Sequence, residues 1–411
     1  MVTESLLNKA NFDFNNAVVE LEALRTYYIQ TRDSIAKSET EYNKKYKIAH
    51  EIAELFDQIY ERAPEERRAY LEEVSNTVLS NNLPLNSVMT ISLSDDCDKI
   101  QYTIIHGQIR TDYDPRKART KKKYLKNQKH IFMRSILSNI IVSFEQYLSN
   151  YYETVMLNQP KAYLEDKKIR AVDIIELELS DILQNLFRKE IESNMYDSLK
   201  LLDKLKEKSG IEVDRYLEIR DEFEEIYYRR NAYIHTNGCV NGIYLENVHE
   251  RYKKGKSIGE ELICDDTYLD NAIIALYKLV SSLHYELLRC LGAETEVYDV
   301  SIASLGFSAM QEENYSLSEY IYGILRRHKE MEYRDKAIYE VNYINSLKLQ
   351  GKDVADLLSK FDVSIATDNF KIAKECLLGN DEEIYKMLTA TYPESFDAIS
   401  IREWPIFVQF R

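Results

Sequence analysis

The chain has 411 residues, more than one hydrophobic core usually organises, so two or three domains are expected. Apolar residues make up 45%, which excludes wholesale disorder, and only 11 Gly and 6 Pro serve the whole length, which argues against a sandwich or barrel of many short strands and for long helices. A net charge of −15 excludes a surface that is basic all over, as a general grip on nucleic acid would require, but leaves room for a local basic groove.

The N-terminal Met1–Ala10 lacks the basic-then-apolar pattern of a secretory leader. Residues 1–80 carry Leu6, Leu7, Phe12, Phe14, Val18, Leu21 and Leu24 near helical spacing, which predicts long amphipathic helices with a break at Ala63-Pro64. At 88–109 the period changes. Met89, Ile91 and Leu93 alternate with polar residues, as do Ile100, Tyr102 and Ile104, which predicts a β-hairpin. Asp95, Asp96 and Asp98 between them read as a solvated turn, because no calcium-loop spacing follows.

From Asp114 to Glu145 no acidic residue occurs, while Arg116, Lys117, Arg119, Lys121, Lys122, Lys123, Lys126, Lys129 and Arg134 do. This stretch suits either phosphate contact or a solvated basic linker. A strong helix is expected over 131–157, with Phe132, Ile136, Ile140, Phe144, Leu148, Tyr151 and Val155 on one stripe. Further helices are expected at 172–189, at 195–208 closed by Gly210, and at 213–236 closed by Asn237-Gly238. After a loop rich in Gly and Lys comes a long helix at 266–291, punctuated by Gly292.

Short helices at 302–313, 315–328, 334–350, 368–378 and 381–390 resemble stacked helical hairpins without a fixed period. Trp404 is expected to anchor the C-terminus. The fold class is therefore all-α with one small hairpin. Three regions are expected: 1–127, a helical bundle at 128–292, and helical hairpins at 293–411.

Cys97, Cys239, Cys264, Cys290 and Cys376 form no CxxC pair, so neither a disulfide framework nor a structural zinc is expected, and a reducing compartment is. The apolar stretches at 136–144 and 272–280 are too short to span a bilayer. A cytoplasmic protein without a membrane partner is the expectation. The 32 Tyr read as amphipathic packing at core and rim. His50, His106, His130, His249, His284 and His328 show no metal-ligand spacing, and no Gly-rich phosphate loop occurs, so no metal or cofactor is expected.

The stretch that carries chemistry is Arg230-Asn231-Ala232-Tyr233-Ile234-His235. Cleavage of RNA without a metal needs a group that moves protons and a cation for the crowded phosphorane. Histidine suits the first task near neutral pH. Arginine suits the second, with a permanent charge and forked donors. Asn231 can orient either partner. Five residues on a helix correspond to about 140° of rotation, so one chain's Arg230 and His235 do not lie side by side. Asn231 and His235, four apart, do.

An Arg, a polar residue after it and a His five positions on resembles the motif of the HEPN superfamily of ribonucleases. Val142-Ser-Phe-Glu-Gln-Tyr-Leu148 and the Arg-Arg-Asn…His-Thr-Asn-Gly block are similar to HEPN domains of bacterial phage-defence and abortive-infection proteins. The resemblance covers about residues 128–292. It implies a helical bundle with the motif late in a helix, and a composite cleft at a homodimer interface. It further implies a metal-independent endoribonuclease with Arg230, His235 and Asn231 catalytic, acting in antiviral defence or as a growth-arresting toxin. Arg229, Lys253, Lys254 and Lys256, with Lys121, Lys122 and Lys123, are candidates for RNA phosphates. A regulatory protein or phage trigger is expected at the C-terminal helices. The alternative is a non-catalytic HEPN scaffold for dimerisation and for binding RNA or a partner.

Overall fold

The run from Val2 to Tyr60 contains neither Gly nor Pro and forms one helix, α1. It ends just before the Ala63-Pro64 break. The structure, a computed structural model, describes residues 2–63, 65–70, 87–93, 100–106, 109–112, 115–164, 178–194, 198–209, 217–328, 331–363 and 367–410. The acidic turn at 95–98, Gly210 and the first part of the helix expected at 172–189 lie outside them. The chain divides into two units, one of residues 26–135 and one of residues 1–25 together with 136–411.

In the first unit, β1 (Ser87–Leu93), β2 (Ile100–His106) and β3 (Ile109–Asp112) form an antiparallel sheet in that order. The register pairs Met89 with Ile104, Ile91 with Tyr102 and Leu93 with Ile100, so the alternating positions of the two strands fall opposite one another. The third strand goes beyond the expected hairpin. Its four residues, Ile-Arg-Thr-Asp, are too short to show an alternation. The helix α2 runs from Pro115 to Asn158, starting with proline at its first position. The basic stretch is therefore helical rather than a linker, and its Lys123 and Lys126 are exposed.

In the second unit, α3 (Pro160–Leu164), α4 (Leu179–Asn194), α5 (Ser198–Ser209) and α6 (Leu217–His235) follow. Two short helices, α7 (Gly242–Asn247) and α8 (Glu250–Lys253), lie within the expected Gly- and Lys-rich loop. Then comes α9 (Asp266–Leu291), capped by the Asp265 side chain accepting from the Tyr268 N–H and ended by Gly292 at φ 66°. Its Leu269, Ile273, Leu276, Val280, Leu283 and Leu287 are buried, which makes it the central helix of this unit.

The first residues of α1 pack here as well. Phe14 stacks on the His284 ring at 4.1 Å, Tyr277 donates to Glu22 at 2.9 Å, and Asn150 donates to Asp13 at 3.2 Å.

The rest of the chain forms α10 (Thr295–Tyr298), a π-helical turn at Asp299–Ala303, α11 (Ser304–Gln311), α12 (Tyr315–Leu325) and α13 (Tyr333–Leu349). These are followed by α14 (Ala355–Lys360), α15 (Asp368–Leu378), α16 (Asp381–Thr391), α17 (Ala398–Glu403) and a 3₁₀ segment, Pro405–Phe410. Val341, Ile344, Ile372, Ile384 and Phe407 form the core at this end. Trp404 anchors the terminus: its indole donates to Asn342 at 3.0 Å and its ring meets Phe396 and Phe407. No helix among the described residues is long and apolar enough to cross a membrane.

Candidate functional site

His235 is the last residue of α6. The chain turns there because Asn237 and Gly238 both take positive φ, 54° and 80°, a conformation those two residue types tolerate. The Gly238 N–H closes on the Ala232 carbonyl at 3.0 Å. Thr236 Oγ1 donates to the Cys239 carbonyl at 2.7 Å and lies 3.0 Å from that of Ala232.

Beyond the turn, residues 238–240 pair with 259–262. The Leu262 N–H donates to the Gly238 carbonyl at 2.8 Å and Val240 to Glu260 at 2.9 Å. Ala232, Val240, Tyr244, Val248 and Leu262 bury one another in a small core under this loop. The stretch that reads as a loop rich in Gly and Lys is thus a folded cover on the end of α6.

The motif residues separate. Arg230 is half-buried, and its Nη2 donates to Oε1 of Glu145 on α2. Its guanidinium carbon lies 5.4 Å from the Tyr227 ring centre, and its Nε is buried without a hydrogen-bond partner among the described residues. Glu145 also accepts from Ser198 at 3.3 Å. His235 is exposed and Asn231 half-buried. Since α6 is helical through both positions, Arg230 and His235 leave it in different directions. Ile234, beside His235, is 55% exposed.

Arg229 does not take the phosphate-binding place expected of it. It is buried, so it is not a candidate for RNA phosphates. Its Nε donates to Glu225 Oε1 at 2.7 Å, its Nη1 donates to the Ile263 carbonyl, and its guanidinium lies 4.0 Å from the centre of the Tyr268 ring. Glu225 further accepts from Tyr244 and Tyr268, each at 2.7 Å. The physical reason is the i, i+4 spacing of Glu225 and Arg229, which puts both on the α6 face that receives the cover loop. Burial by itself disfavours the charged guanidinium, but Tyr268, Glu225 and Tyr244 outweigh it and hold the Arg229 pKa above its ordinary value. Burial pushes the Tyr244 and Tyr268 hydroxyls up.

The remaining basic candidates are placed unequally. Lys253 is half-buried and donates to the Leu245 carbonyl at 2.8 Å, which ties it to the end of α7. Lys256 lies 3.9 Å from Glu260. Lys254 is exposed, as is Lys123. Lys121 and Lys122 are helical in α2, and their side chains lie outside the described residues.

Glu145 lies within the Val142–Leu148 stretch, but nothing local in the sequence gives it a role, because its partner stands 85 residues away. Glu224 and Glu225, the nearby carboxylates that could have paired with Arg230, are taken by Arg220 at 2.7 Å and by Arg229. Among the described residues no group of three or more His, Cys, Asp or Glu is placed to hold a metal ion. The chain matches no family model, no curated protein and no solved structure.

Proposed function

We propose that the chain is an endoribonuclease that cuts RNA without a metal, on a HEPN-like bundle with Arg230, Asn231 and His235 as its site. The observation that carries this reading is the Glu145–Arg230 pair. It joins the two stretches that resemble HEPN domains and holds one guanidinium edge, next to a helix end that presents His235 to solvent. In this chemistry the 2′-oxygen attacks its own phosphorus and the bond to the 5′-oxygen breaks. One His235 takes the 2′-hydroxyl proton and another protonates the leaving 5′-oxygen, giving a 2′,3′-cyclic phosphate and a 5′-hydroxyl. Arg230 answers the charge on the phosphorane.

One chain offers a single His235, so the reading requires a homodimer in which two motifs share a cleft. The exposed Ile234 beside His235 suits such an interface. Cleavage of this kind is toxic to a cell, which fits antiphage defence or a growth-arresting toxin. Its resting state would be restrained, and the C-terminal helices would be where a regulatory protein or phage trigger binds.

Purified chain in EDTA should cut single-stranded RNA or tRNA and leave 2′,3′-cyclic phosphate ends. Arg230→Ala and His235→Ala should each lower the rate by about 10²-fold or more. Equal cutting by all three proteins defeats the assignment. The second reading, a non-catalytic scaffold that dimerises and binds RNA or a partner, is favoured by the ion pair that already occupies Arg230. It prevails if all three proteins bind RNA alike and none cuts it.

A further inference from the structure

A cleft of about 240 Å³ opens between α9, α12 and α13, away from the Arg230–His235 motif in sequence. Lys278 of α9, Arg327 just past α12, and the rings of Tyr320 and Tyr343 line it. The Lys278 ammonium donates to Ser316 Oγ at 3.2 Å and lies 5.6 Å from the Tyr320 ring centre, and among the described residues it pairs with no carboxylate. The exposed Arg327 guanidinium has neither hydrogen bond nor ion pair there. The cleft's one carboxylate, Glu319, is already answered by Lys352 at 2.5 Å and by Gln350 at 2.9 Å. Among the described residues neither cation forms an ion pair, Lys278 at the half-buried wall and Arg327 at the exposed mouth.

Burial lowers the Lys278 pKa despite Glu222 and Glu319, with Lys352 pushing it the same way. An anion would relieve that cost.

Both aromatic walls are held by neighbouring side chains. Tyr320 shares a 2.6 Å hydrogen bond with Ser282. Tyr343 lies 4.0 Å from the Arg326 guanidinium, which both oxygens of Glu340 hold at 2.7 Å. Gly323 lies inside α12, where glycine costs about 1 kcal/mol against alanine. No clash requires it, since a Cβ there would meet the Tyr343 ring at an ordinary 3.5 Å. Its effect is to leave space beside the Tyr343 ring.

We propose that this cleft binds a free mononucleotide, with its phosphates between Lys278 and Arg327 and its base against Tyr320 or Tyr343. Unpaired cations call for phosphate, and aromatic walls call for a flat ring. At about 240 Å³ the space is smaller than the roughly 300 Å³ at which ligand pockets usually begin, which limits the occupant to a single nucleotide partly in solvent.

Titration calorimetry on the full chain tests this with ATP, GTP, adenosine and tripolyphosphate as probes. At least one triphosphate should bind at least tenfold more tightly than either adenosine or tripolyphosphate. Arg327→Gln, at an exposed position, and Lys278→Met should each weaken it at least tenfold, and Gly323→Leu should abolish it while circular dichroism stays unchanged. His235→Ala should bind as wild type does, so this inference and the nuclease reading fail separately. The proposal is overturned if neither triphosphate binds at millimolar concentration, if tripolyphosphate binds as well as they do, or if Arg327→Gln leaves binding intact.

Discussion

Arg230 and Glu145 stand 85 residues apart and meet through a guanidinium–carboxylate contact between α6 and α2. The contact sets the direction of the one motif cation that is neither fully buried nor free in solvent. Glu145→Gln keeps the shape but removes the charge. We expect it to lower RNA cleavage about tenfold or more through kcat rather than KM, and to cost about 1–2 kcal/mol in urea unfolding, because both side chains are mostly buried. Unchanged cleavage would show that Arg230 does not act through this contact.

His235 gives the opposite balance. It is exposed at the last position of α6, so His235→Ala should change stability by less than about 0.5 kcal/mol while removing cleavage. Thermal melting beside a cleavage assay checks both halves. A large loss of stability would place the residue in the fold instead of the chemistry.

The Glu225 cluster is the reverse case. Glu225→Ala would leave the buried Arg229 without its carboxylate and two tyrosine hydroxyls without an acceptor. We expect a loss of about 3–5 kcal/mol, read as a shifted denaturant midpoint.

Acid sensitivity should trace in part to His284. Burial against Phe14 lowers its imidazole from the ordinary 6.5 to about 3, with Nε2 held 3.1 Å from Asn11 Oδ1. The folded-state pKa is depressed, so this contribution is fully present above pH 6.5 and is lost as pH falls from there towards 3, where the unfolded chain binds a proton the folded chain refuses. At pH 5 the loss amounts to roughly 2 kcal/mol. Urea unfolding of wild type and His284→Gln at pH 7.5 and pH 5 should show a smaller difference in the variant.

Gly306 and Gly323 separate two uses of glycine. At Gly306 a Cβ would stand 2.8 Å from Ile321 Cγ2 and 3.1 Å from the Tyr322 ring, so Gly306→Ala should destabilise by about 1–3 kcal/mol. Gly323→Ala meets only ordinary contact and should stabilise by up to about 1 kcal/mol. Thermal melts of the two single variants, shifting in opposite directions, check the pair.

Local pattern determined much of this molecule. Helical periodicity and the scarcity of Gly and Pro placed the long helices. Positive-φ residues such as Gly292 and Asn237-Gly238 marked where two of them stop, and a change of period marked the strands at Met89–Leu93 and Ile100–Ile104. These signals are legible because each needs only residues within a few turns of one another. The tertiary structure alone decided the rest. It assigned Glu145 to Arg230 and Glu225 to Arg229, folded the lysine-rich loop into a cover over Ala232 and Tyr244, and packed the first turns of α1 against His284 and Asn150. Two adjacent arginines read alike in sequence. Which one is buried and which reaches the edge depends on the rotation of α6 against partners 34 and 85 residues away, and no local periodicity carries that information.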